Sequence, residues 1–170
     1  MKHSTITLFG FLLLSFIAAA QDFEVPANIP ATKDEFIKSE TDFIAAAKWL
    51  ESIPVGTWAW DDKRSKMKIW ILTWIGASQN SYLNLSWDAT KLYDENTQLL
   101  TVFMAGYIRY RLENNYSTDQ LKASTAGVKS SINCYKLGGD VKKNKKLTAA
   151  INADKEGKLE DWVREAMKDM

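Results

Sequence analysis

Leu99-Leu100-Thr101-Val102-Phe103-Met104-Ala105-Gly106-Tyr107-Ile108 decides the fold. Leu99, Leu100, Phe103, Met104, Tyr107 and Ile108 recur in steps of three and four, the period of a helix and not of a strand. The helix is expected from about Glu95 to Asn114. Gly106 lies inside it, at a cost of roughly 1 kcal/mol against alanine. A glycine there permits close approach of a neighbouring helix.

Downstream, Ser117-Thr-Asp-Gln120 reads as a capping box. Leu121, Thr125, Val128, Ile132 and Tyr135 follow as an inward stripe, and Gly138-Gly139 ends that helix. Cys134 falls off the stripe. Two further helices are expected: Val141–Asn152, with Leu147 and Ile151 inward, and Lys158–Lys168, with Leu159, Trp162, Val163, Ala166 and Met167 inward.

Upstream, Leu83, Leu85 and Trp87 alternate with Asn84 and Ser86, which predicts a short extended segment near 82–87. A single short strand has no partner here, so no sheet is built on it. Met67, Trp70, Ile71, Trp74 and Ile75 form one apolar face running through Gly76, with Asp61 or Asp62 as the expected cap. Pro54 to Asp62 is a loop. Thr32-Lys-Asp-Glu35 is a capping box that opens a helix over Lys33–Ser52, closed by Pro54. Thr41 and Asp42 offer an alternative start, so a break near Ser39–Thr41 is considered. Gln21 to Ala31 holds Pro26 and Pro30 and no periodicity, and reads as an extended N-terminal arm. Five to six amphipathic helices with short connections predict an all-α fold, one compact domain over 32–170. The helix pairs share no repeat signature.

Residues 1–20 have another character. A short cationic start, Met1-Lys2-His3, precedes an apolar run from Ile6 to Ala20, and Ala18 and Ala20 give a small-x-small end. This pattern predicts a secretory signal peptide. The run is shorter than the roughly 20 residues of a spanning helix. The expected product is exported, periplasmic or secreted, with no membrane span after cleavage.

Cleavage narrows the chemistry. Removing 20 of the 170 residues takes away His3, the only histidine, and Lys2, leaving 21 basic against 21 acidic side chains. A chain of zero net charge has no global field to draw nucleic acid. Without histidine, a serine or cysteine nucleophile lacks its usual base, and zinc or haem sites built on histidine are excluded. There is no phosphate-cradling glycine loop. No cofactor and no metal is expected. Cys134 is the lone cysteine, so no disulfide forms within the chain. A reactive thiol or an intermolecular bridge competes with a passive cysteine there.

Paired carboxylates are the surviving enzymatic route, as in glycoside cleavage. Glu113, Asp88, Asp94 and Glu95 are candidates, though Glu113 also stands four residues from Arg109, an ordinary helix-surface pair. Asn152-x-Asp154-x-Glu156-Gly157 imitates the start of a calcium loop, but Val163 stands where the closing glutamate belongs. Lys142-Lys143-Asn144-Lys145-Lys146 is a cationic patch, most simply a solvated face. Asn84-Leu-Ser86 and Asn115-Tyr-Ser117 match the N-glycosylation acceptor. An aromatic core explains most of the seven tryptophans. Trp58 and Trp60 differ, because they stand in a loop beside Asp61 and Asp62. Loop aromatics next to acids can stack on a sugar or anchor in a partner, or else plug the end of a helical bundle. These four residues are the expected binding site. The function expected is non-enzymatic binding of a protein or an envelope glycan, with a carboxylate-dependent hydrolase of envelope glycans as the alternative.

Overall fold

A computed structural model describes residues 23–58, 60–78 and 92–168. The apolar run of residues 6–20, the expected extended segment near 82–87, Trp87, Asp88 and the Asn84 acceptor lie outside the described residues.

Thr32 opens α1 (Lys33–Ser52) with both bonds of the expected capping box. Its hydroxyl accepts from Glu35 N at 3.3 Å, and the Glu35 carboxylate accepts from Thr32 N and Ala31 N at 3.2 and 2.8 Å. Those N–H donors favour the charged form and hold the Glu35 carboxyl below its usual range. The helix runs unbroken through Ser39–Thr41, where the Ser39 hydroxyl donates back to Phe36 O at 2.9 Å.

The second helix, α2 (Asp61–Ala77), corrects the expected cap. Its N-cap is Trp60, which makes no side-chain bond, and Asp61 and Asp62 lie in the first turn. There they complement the helix dipole instead of closing the end. The predicted face of Met67, Trp70, Ile71, Trp74 and Ile75 is buried. Phe43 of α1 packs on Trp74 and Trp70 at ring separations of 4.3 and 6.3 Å. Trp70 Nε1 donates to Asn28 O and Trp74 Nε1 to Ser39 Oγ, at 2.9 and 2.8 Å. Both indoles are thereby satisfied at the edge of an apolar layer, and the first of these bonds holds the non-helical stretch 23–31 against the bundle.

The central pair is α3 (Thr97–Glu113) and α4 (Gln120–Lys136), joined by a six-residue turn. Their approach needs glycine. A Cβ on Gly106 would stand 2.7 Å from Ser130 Cβ, and one on Gly127 2.7 Å from both the ring and the carbonyl of Phe103. The cap of α4 is Asp119, whose carboxylate accepts from Lys122 N at 3.0 Å, and not Ser117. Ser117 Oγ is used one step earlier, accepting from Asp119 N at 3.2 Å.

Cys134 also departs from expectation: it is fully buried. The buried side of α4 includes the small residues Ala123, Gly127, Ser130 and Ser131, which face α3 and widen the inward stripe. Burial pushes the Cys134 thiol up, and the neighbouring Arg64 guanidinium offsets part of that.

The tail pair is α5 (Lys145–Lys155) and α6 (Leu159–Lys168), packed on α4. The fifth helix starts four residues later than predicted. Asn96 claims the backbone of Lys142, accepting from its N at 2.8 Å and donating to its O at 3.0 Å. Asn144 then caps α5 by accepting from Leu147 N at 2.9 Å. Among the described residues there are six helices and one isolated parallel bridge, Val55 with Gly139, and no helix is long and apolar enough to cross a membrane.

Candidate functional site

The loop between α1 and α2 carries the four predicted site residues, and its fixing begins at the end of α1. Pro54 cannot extend that helix, so the carbonyls of its last turn need outside donors. Buried Arg64 of α2 supplies them, with Nη1 donating to Leu50 O at 2.9 Å and to Ile53 O at 2.7 Å. The same guanidinium reaches Cys134 Sγ at 3.5 Å. Two residues on, Val55 O accepts from Asp140 N at 2.7 Å. Gly56, at φ +65°, lies so close to Asp140 that a Cβ would collide with it. A turn follows, in which Trp60 N donates to Thr57 O at 2.8 Å.

The two loop tryptophans part company here. Trp60 is half-buried and sets its edge against Trp49, with centroids 6.2 Å apart and planes at 76°. It closes the end of the bundle. Trp58 is 89% exposed. The two acids part as well. Asp62 points to Lys66, an ion pair of 2.7 Å one helical turn along α2. Asp61 lines a cavity of about 370 Å³ together with Gly56, Arg64, Ser65, Lys68, Gln98 and Asp140. A second cavity of about 180 Å³ shares Gln98 and Asp140 and adds Val55, Glu95 and Lys142. The site is therefore a pole of the bundle. The loop that exposes Trp58 also lends Val55 and Gly56 to polar cavities where the first turns of α2 and α3 meet the 138–142 loop.

Arg64, Lys68, Gln98 and Asp140 were not singled out from the sequence. Only the Gly138-Gly139 pair hinted that a turn would bring Asp140 somewhere particular. Of the predicted catalytic carboxylates, Asp88 lies outside the described residues, and the other three line no common cavity. Glu113 is engaged by Lys48 at 2.7 Å and Arg109 at 3.8 Å, Asp94 is exposed in a turn, and Glu95 lines the smaller cavity. A different polar cluster ties the bundle together. Glu51 of α1 accepts from Arg109 of α3 at 2.9 Å and from Asn133 of α4 at 2.6 Å. Its members come from three helices, so no local spacing announces it.

The calcium-like stretch is not a loop. Residues 152–155 finish α5 and 159–163 begin α6, leaving three residues between them. Asp154 is held by two lysines of α4, Lys129 and Lys136. These hold its carboxyl below the usual range. Among the described residues no group of three or more potential ligands could hold a metal ion. Asn115 of the second acceptor sequence is exposed, at φ +53°.

Buried Tyr93 remains. Its hydroxyl finds no hydrogen-bond partner among the described residues. Neighbouring Ser131 already directs its single hydroxyl proton at the carbonyls of Leu99 and Gly127, both 3.2 Å away. Desolvation pushes the Tyr93 phenol well above its usual range, so it stays neutral.

The chain matches no protein-family model, no curated protein matches its sequence, and no solved structure matches it.

Proposed function

We propose that the protein acts after export as a non-enzymatic binding protein of the cell envelope or exterior, and that the pole around Trp58 is its contact surface. The exposure of Trp58 carries this reading. A buried tryptophan removes about 150–250 Å² from water. At about 25 cal/mol per Å², leaving the indole outside forgoes roughly 4–6 kcal/mol. Tryptophan is the side chain most enriched where partners concentrate binding energy. The partner class is a protein or an envelope glycan.

The test is capture of proteins and glycans from the envelope and medium of the producing cell, with wild type and Trp58→Ala compared. A partner held by wild type and lost by the variant supports the proposal. Identical material on both, or none on either, refutes a protein or glycan partner at this pole. One observation favours a second reading, a carboxylate-dependent glycan hydrolase: Asp61 and Asp140 line one cavity with Gly56 of the Trp58 loop. That reading requires Asp61→Asn or Asp140→Asn to abolish glycan cleavage that wild type performs.

A further inference from the structure

The charged patch at residues 142–146 gathers four unpaired lysines within five positions, whereas Lys33, Lys38 and Lys155, also exposed and without an ion pair among the described residues, stand singly. Lys48, Lys66, Lys122, Lys129, Lys136, Lys158 and Lys168 all have carboxylate partners. Lys142, Lys143, Lys145 and Lys146 are exposed and form no ion pair among the described residues. Asp94, Glu95 and Asp140, the carboxylates on the adjoining loops, take none of them.

Their position also runs against local electrostatics. A helix start favours negative charge. The first turns of α1, α2 and α6 carry Asp34 and Glu35, Asp61 and Asp62, and Glu160 and Asp161. The first turns of α3, α4 and α5 have no acidic residue, and that of α5 opens on Lys145 and Lys146. Two more lysines precede the cap. Like charges are thus crowded where the backbone is already positive; Lys142 shares a cavity with Glu95 and Asp140, and none of the four lysines forms an ion pair among the described residues. The backbone beneath is fixed by Asn96 and Asn144.

The fold brings this patch to the Trp58 pole. Val55 and Gly139 pair in parallel. Trp58 and Lys142 each stand three residues beyond that bridge, so each is at most roughly 10 Å from it, and Lys142 lines a cavity with Val55. Exposed tryptophan and clustered lysine together suit the boundary of an anionic bilayer, where the indole sits at headgroup depth and the ammonium groups meet phosphates. Four lysines and no arginine at the patch fit diffuse phosphate charge better than the planar carboxylates of an acidic protein, which favour the arginine fork.

Resting on the reading of this pole as a contact surface, and in place of the protein or glycan partner, we propose that its ligand is the phosphate-bearing surface of an anionic lipid bilayer, bound peripherally through Trp58 and Lys142, Lys143, Lys145 and Lys146. The exported chain balances its charge, so the attraction is local and sensitive to salt.

The test is co-sedimentation of the full chain with vesicles of phosphatidylcholine alone and of phosphatidylcholine with phosphatidylglycerol. Residues 1–20, where still attached, carry Lys2 and themselves favour anionic vesicles, so the reading is the part of the anionic preference that Lys143→Glu with Lys146→Glu removes from the same chain. Expected are a preference for the anionic vesicles and its loss in about 0.5 M salt. Each Lys→Ala change should weaken that binding roughly fivefold. Brominated lipid should quench wild-type fluorescence more than that of Trp58→Phe. Equal binding to both vesicles overturns the proposal, as does anionic binding unchanged by Lys143→Glu with Lys146→Glu. Binding to soluble polyphosphate as strong as to vesicles, and unchanged in Trp58→Ala, overturns the bilayer as occupant. A Trp58-dependent partner captured without any vesicle preference refutes this ligand and leaves the binding reading standing. Absence of both refutes the two together.

Discussion

Gly106→Ala should destabilise the protein, although alanine is the better helix former. In an isolated helix the change gains about 1 kcal/mol. At the α3–α4 crossing the new carbon would stand 2.7 Å from Ser130 Cβ and 3.3 Å from Ala126 O, with Ser130 Oγ nearer still. Carbon atoms in good contact sit about 3.5–4.0 Å apart, so the helices must part by roughly 1 Å. A rotamer change moves Ser130 Oγ away but leaves its Cβ, which the backbone of α4 holds in place. Overpacking costs about 1–3 kcal/mol, and a clash fixed to two backbones belongs at the upper end. Against the propensity gain, the net loss is about 2 kcal/mol. For a chain of this size that lowers Tm by about 4–8 °C, read by far-UV circular dichroism. Ser130→Gly removes both offending atoms. The double variant should therefore recover at least about 1 kcal/mol relative to the sum of the single changes. A Gly106→Ala protein melting at or above wild type, or a coupling indistinguishable from zero, refutes the packing argument.

Trp58→Ala should leave stability within about 0.5 kcal/mol of wild type, whereas Trp74→Ala should cost about 3–5 kcal/mol; the same melts compare them. Asp154→Asn should destabilise at neutral pH. The lysines hold the folded carboxyl below its ordinary value of 3.8, so its contribution is complete above that value. It is lost as pH falls through the depressed folded value, and denaturation of wild type and variant should converge in acid. Cys134 should resist a thiol reagent in the native protein and react fully once guanidinium unfolds it. Prompt native labelling would contradict the burial of the thiol.

The helices were legible where apolar spacing and a cap agreed. Thr32 and Glu35 are bonded as their spacing predicted, and the face of α2 is buried where the period placed it. On α3, Leu99, Phe103, Tyr107 and Ile108 are buried, whereas Leu100 and Met104 are only half-buried and Val102 and Ala105 take the interior beside them. Misreadings fell where several polar groups competed for one turn. Asp61, Asp62, Ser117 and Asp119 all look like caps, and the tertiary path of the chain decides which one closes the helix. Cys134 is hidden from a reading of large aliphatics because small residues, Gly127, Ser130 and Ser131, make up the buried side of α4 that it shares. Trp58 and Trp60 could not be told apart, since their difference depends on Trp49, which lies in another element. The approach of residues 138–142 to this loop depends on a bridge between positions far apart in sequence, and no local pattern records it.

The bonds around Leu50, Ile53 and Val55 have a consequence for association. Arg64 and Asp140 bind the carbonyls of the segment leading to Trp58. The entropy of ordering this loop is therefore settled during folding. On contact, only the exposed side chains have freedom to lose, about 0.5–1.5 kcal/mol for each long one immobilised. Encounter then requires no prior rearrangement of the backbone, so association should proceed at the ordinary docking rate of roughly 10⁵–10⁷ M⁻¹s⁻¹. Differences in affinity among variants of this surface should accordingly appear in how long the complex lasts.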